Sequence, residues 1–153
     1  MSILSRRWVA SAGVGVMAAA AVTLAAAPAQ AAALPVQQMP AQGILSMGLG
    51  NWSGYAASIR IDTTARFGEV SLSAPGGAAC GRGAAGTLVR FDFTNVTAGR
   101  TGSGTVRPCT GPFSGPLKTT LYTGAGQVVG TISIVTSGGP WQIPGVAAFH
   151  VPR

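Results

Sequence analysis

Few residues in this 153-residue chain could do acid–base or nucleophilic chemistry. There are three acids, Asp62, Glu69 and Asp92, one histidine, His150, and two cysteines, Cys80 and Cys109. A Ser-His-Asp triad would need His150 as base, with Asp62 or Asp92 orienting it. No serine stands in a G-x-S-x-G nucleophile elbow. His150 lies close to the C-terminus, a place that often frays, and reads as a half-exposed terminal histidine. One histidine, three acids and a cysteine couple that reads as a disulfide are a poor supply of metal ligands. The residues therefore point to no catalytic set, no metal site and no cofactor. Gly124-Ala125-Gly126-Gln127-Val128-Val129-Gly130 resembles a dinucleotide fingerprint only superficially. Its glycine spacing is wrong, and it precedes a strand pattern rather than a helix, so it reads as a hairpin turn.

The N-terminus decides how the cysteines are read. Arg6 and Arg7 form a positive region, Trp8 to Leu24 is an apolar run without a charged side chain, and Ala29-Gln30-Ala31 is a small-x-small cleavage site. This pattern predicts a signal peptide over 1–31, with a cut after Ala31 or Ala33. Nearly half of the run is Ala and Gly, so it suits cleavage better than retention as a membrane span. Ser5-Arg6-Arg7-Trp8 also has the form of a twin-arginine export signal, which implies a bacterial source. In an exported chain Cys80 and Cys109 read as one disulfide. Closing a loop of this length is worth about 3–4 kcal/mol in the chain-entropy model.

The formal charge of +7 falls to +5 once Arg6 and Arg7 are removed. The remaining basic residues are scattered singly, without the clustered face that nucleic-acid binding uses. Mild basicity instead suits solubility and adsorption to anionic cell-wall polymers. Asn51-Trp52-Ser53 and Asn95-Val96-Thr97 are N-glycosylation sequons on paper, relevant only in a source that glycosylates.

The elements that would position any site are strands. Residues 32–48, with Pro35, Pro40 and three glutamines, show no period and read as a flexible leader. A single domain is expected over 49–153. Tyr55 to Ile61 alternates, with Tyr55, Ala57, Ile59 and Ile61 on one face. Val70 and Leu72 point inward in the next run, and Val89, Phe91 and Phe93 oppose Leu88, Arg90 and Asp92. Val128 to Val135 is β-branched on both faces and so central; Thr119 to Tyr122 and Ala147 to Val151 complete the set. Residues 99–116 are the longest stretch of doubtful order. Gly- and Pro-rich turns separate these runs, and no helical period intervenes. The chain is therefore expected to be all-β, a small antiparallel sandwich or barrel of about six or seven short strands with one disulfide. Trp52, Tyr55 and Trp141, at loop–strand junctions, are candidate ligand platforms, for sugars among others. The same residues serve equally as core and edge packing.

Gly50-Asn51-Trp52-Ser53-Gly54-Tyr55 resembles the N-terminal strand of the secreted glutamic peptidases (eqolisins), and Gly68 to Pro75 loosely echoes a following strand of that family. The resemblance covers about the first quarter of the exported chain and implies a secreted β-sandwich. It does not extend to the family's Gln/Glu catalytic pair, because the only glutamate, Glu69, stands in the echo strand. Three functions are thus expected in descending order. The first is a secreted non-enzymatic binding protein acting on an envelope polymer or extracellular protein. The second is a peptidase inhibitor whose loop Thr105 to Thr110 is braced by the disulfide, although Arg107 is followed by Pro108. The third is a hydrolase using Glu69, Asp62 or Asp92.

Overall fold

The computed structural model describes residues 31–46, 50, 52–81, 86–135 and 141–153. The proposed signal peptide lies outside the described residues, apart from Ala31, as does Asn51 of the eqolisin-like motif.

Among the described residues eleven strands form, in chain order β1 (Gln37–Met39), β2 (Ala41–Ser46), β3 (Trp52–Ala57), β4 (Arg60–Thr63), β5 (Glu69–Ser73), β6 (Leu88–Asn95), β7 (Arg100–Val106), β8 (Lys118–Tyr122), β9 (Gly126–Val135), β10 (Trp141–Ile143) and β11 (Gly145–Val151). A short 3-10 turn, Gly77–Gly81, interrupts them. Every pairing is antiparallel. One five-stranded sheet runs β1-β11-β9-β6-β7, and two three-stranded sheets run β10-β2-β3 and β4-β5-β8. The sheet β10-β2-β3 touches β9, and β5 and β8 touch β7, so both small sheets pack against the large one. The result is sandwich-like, as the alternating pattern predicts, with more strands than the expected six or seven.

Alternation decides which side chains enter the core. In β6, Val89, Phe91, Phe93 and Asn95 are buried, while Arg90 and Thr94 are exposed. Strand β9 is central, between β11 and β6, and contributes Val128, Ile132 and Ile134. The Phe91 ring lies 6.2 Å from Phe93 and 6.1 Å from Phe149. Gly130 makes room for it, since a Cβ there would fall 2.5 Å from the Phe91 ring. The run from Tyr55 to Ile61 divides into β3 and β4, yet Tyr55, Ala57, Ile59 and Ile61 are all buried as expected.

Two stretches differ from the sequence reading. Residues 32–48 do not form a flexible leader over their described part, because they supply β1 and β2. Strand β1 pairs with β11, and β2 is the middle strand of its sheet with Ala41 and Leu45 in the core. Upstream, Leu34 N–H donates to Ile61 at 2.8 Å and Thr63 N–H donates to Ala32 at 2.8 Å. Pro35 and Pro40 lie outside the strands and cut the segment into pieces short enough to serve both layers. The ordered region therefore begins upstream of residue 49. The stretch 99–116 is likewise ordered at its start, where β7 pairs with β6 over seven residues from Arg100 to Val106. Serine, threonine and glycine hide β7 from a hydrophobic-pattern reading: of its seven residues only Gly104 and Val106 are buried.

Candidate functional site

Cys80 and Cys109 form the disulfide, with Cα atoms 5.5 Å apart. It ties the 3-10 turn to the segment after β7. Cys109 is buried, so the pair belongs to the packed interior rather than to a reactive surface.

Each acid is occupied by a nearby arginine. Asp62 accepts from Arg60 Nε at 3.0 Å, and Glu69 lies 3.8 Å from Arg66. Asp92 accepts from Arg90 Nε at 2.9 Å and from Nη2 at 2.7 Å, a two-pronged pair. Hydrogen bonding to Asp92, reinforced by its charge, raises the Arg90 guanidinium further above its ordinary range. His150 is exposed on β11 opposite Gln127. Asp92 shares a row with Val146, four residues along β11 from His150, a separation of roughly 13 Å along that strand alone. The triad geometry is therefore not assembled from Asp92. Among the described residues there is no cluster of three His, Cys, Asp or Glu side chains that could hold a metal.

A broad concavity lies on the outer face of the five-stranded sheet. Register puts Met39, Val146, Thr131, Asp92 and Ser103 in one row, and Gln37, Ala148, Val129, Thr94 and Thr101 in the next. These two rows line a groove of about 1080 Å³. It crosses all five strands, a span of about 19 Å at ordinary strand spacing. Hydroxyls and an amide alternate with Met39, Val129 and Val146, all three exposed. Asp92 is the only acid in the lining, and Arg90 neutralises it. Such a surface can hold an extended, largely uncharged ligand by apolar contact and hydrogen bonds. Sequence reading missed it. The signal was present in β6 and β9, whose outward positions carry Thr94, Val129 and Thr131, but only strand order shows that these adjoin Met39 and Thr101.

The aromatic trio separates. Trp52 and Trp141 are more than half exposed and share the outer face of β10-β2-β3, where Trp141 pairs with Ile44, Ile44 with Gly54, and Trp52 with Ser46. Tyr55 projects to the opposite, inner side and is only 5% exposed. Among the described residues its hydroxyl has no hydrogen-bond partner. Burial pushes the Tyr55 phenol up to about 12. Tyr55 therefore stands apart from the two tryptophans. A shallow depression of about 360 Å³ lies beside Trp141, over Ile44, Gly54 and Ala56.

No family model matches this chain, and no curated protein or solved structure is significantly similar to it.

The segment after β7 is displayed as a braced loop. Thr110 to Leu117 are exposed without interruption. Arg107 folds its guanidinium onto them, with Nη1 donating to the carbonyls of Gly111 and Phe113, while its backbone N–H donates to Pro116. Arg107 is thus a brace within the loop and is not presented outward. Asn95, the paper sequon, is fully buried and engaged on both sides of its amide.

Proposed function

We propose that this chain is an exported, non-enzymatic binding protein that acts at the cell envelope or on an extracellular partner, with its ligand lying along the groove of the five-stranded sheet. The groove itself carries this reading. Its volume, about 1080 Å³, lies just above the ordinary range of ligand sites, as suits an extended ligand. Its lining offers many hydrogen-bonding side chains, and its one acid, Asp92, is paired with Arg90. The engagement of Asp62, Glu69 and Asp92 by Arg60, Arg66 and Arg90 supports binding over hydrolysis. The disulfide is consistent with an extracellular location.

The test is capture by the immobilised oxidised chain from the secreted proteins and wall fraction of its source. Val129→Lys would set a charge at the middle of the groove from an exposed position on the central strand. The ligand should be retained by the native chain and lost from the variant. Equal retention by both would remove the groove as the binding face.

A second reading, a peptidase inhibitor, loses its expected loop Thr105 to Thr110, because Thr105 and Val106 belong to β7 and Pro108 and Cys109 are buried, and draws support instead from the exposed and braced segment Thr110 to Leu117. The inward fold of Arg107 argues against that residue as the specificity group. Lack of inhibition across a panel of serine and metallopeptidases would remove this reading.

A further inference from the structure

The outer face of β10-β2-β3 carries a different kind of surface from the groove. Trp52, Ile44, Trp141 and Ile143 are exposed there at 56%, 40%, 57% and 48%. Their neighbours on β3 are small: a side chain on Gly54 would meet nothing within 4 Å, and Ala56 follows. The floor is therefore flat and open between two indoles. Two strand spacings and two residues of rise separate the Trp52 and Trp141 backbones, about 12 Å in all. None of the side chains named on this face is charged, and Gln42 supplies an amide beside the depression.

Size and chemistry narrow the occupant. Three strands of at most six residues present about 300 Å² of sheet, against about 800 Å² on each side of a stable protein–protein interface. A second copy or a protein partner would find too little area. The absence of charge on those side chains disfavours an anionic polymer. Flat rings fit instead. A pyranose with equatorial hydroxyls exposes C–H groups of slight positive character on its faces, and the indole face is electron-rich. Its rim hydroxyls suit an amide.

We propose that Trp52 and Trp141 form a platform for a neutral β-linked polysaccharide, with successive pyranose rings lying flat across Gly54 and Ala56 and Gln42 bonding their hydroxyls. The platform shares with the proposed groove function only the extracellular location. It would fix the protein to a wall polymer while leaving the opposite layer free.

The probes are insoluble chitin and insoluble cellulose, sedimented with the oxidised full chain. The native chain should co-sediment with at least one of them. Binding should weaken about tenfold for each of Trp52→Ala and Trp141→Ala, and about a hundredfold for both together. Trp141→Phe should keep most of the binding. Unchanged thermal melting serves as the fold control, and Ile44→Lys gives a second disruption of the face if the double variant melts early. Absence of sedimentation with both polymers would overturn the proposal. So would undiminished binding by the double variant and by Ile44→Lys, or loss of polymer binding in Val129→Lys alone. A failure of Val129→Lys to affect the ligand captured from the secreted fraction would count against the groove and leave the sedimentation result standing.

Discussion

The side-chain amide of Gln38 treats the backbone of Ile59 as a strand partner. Its Nε2 donates to the Ile59 carbonyl at 2.9 Å, and its Oε1 accepts from the Ile59 N–H at 2.9 Å. Ile59 lies in the break between β3 and β4, outside the paired strands, and is met by a side chain of β1. One glutamine thus completes a backbone ladder and fastens the N-terminal segment to the core.

Loss of that pair should be costly because Ile59 is buried and its N–H and C=O would be left without partners. Gln38→Ala is expected to destabilise the fold by about 2–4 kcal/mol, the cost of two unsatisfied backbone groups softened by water entry. Gln38→Glu should also be destabilising, because a carboxylate cannot donate to the Ile59 carbonyl. Urea titration of both variants measures this. Native-like midpoints would mean that the segment is held by β1 and β2 alone.

Asn95 plays a comparable part at the C-terminal end of β6. Its Nδ2 donates toward the carbonyls of Thr123, Gly124 and Ala125 at 3.0, 3.2 and 3.0 Å, and its Oδ1 accepts from the N–H groups of Thr97 and Ala98, each at 2.9 Å. Asn95→Asp would point a carboxylate at three carbonyl oxygens in a fully buried site. A loss of about 3–5 kcal/mol is expected, the range for an uncompensated buried charge. Asn95→Ala should lose about 1–3 kcal/mol. The midpoint of chemical denaturation reads both. A smaller effect for Asp than for Ala would contradict this account.

Tyr55 should set a limit at alkaline pH. Its phenol rises to about 12 in the folded chain through burial, from an ordinary value of 10.0. Between these values the unfolded chain loses the proton and the folded chain keeps it, so stability falls as pH rises from 10 towards 12. Below pH 10 the residue should add no pH dependence. Tyr55→Phe removes the titration and also the partnerless buried hydroxyl. It should therefore melt no lower than the native chain at neutral pH and hold its stability further into the alkaline range. Denaturation midpoints across that range test the expectation; a Phe variant as alkali-sensitive as the native chain would assign the loss to other groups.

The Cys80–Cys109 bridge spans a sequence separation of 29. Reduction, or replacement of both cysteines by alanine, should lower stability by about 3–4 kcal/mol through the larger entropy of the unfolded chain. The loop from Arg107 to Pro116 should become the first site of proteolytic cutting, because the bridge and the Arg107 clamp are its main restraints. Limited proteolysis with and without reductant provides the comparison.

Strand content and side-chain direction were legible in the residues themselves. Period-two alternation over Val89 to Phe93 and over Val70 to Leu72 fixes which side chains face inward, since a one-residue slip would bury Arg90 or Asp92. The even pair of cysteines was enough to pair Cys80 with Cys109. Composition misled at residues 32–48 because glutamine and proline are usual in loose segments. In this chain Gln38 replaces a strand partner, and the prolines only set where short strands end. The groove was beyond sequence reading for a different reason. Met39, Val146, Thr131, Asp92 and Ser103 come from five strands that are adjacent in space but not in order along the chain. Hydrogen-bonded register, a long-range property, brings them into one row. The same holds for Trp52 and Trp141. Their types suggested a platform, but only the pairing of β10 and β3 with β2 put both indoles on one face; alternation along β3 turns Tyr55 to the other.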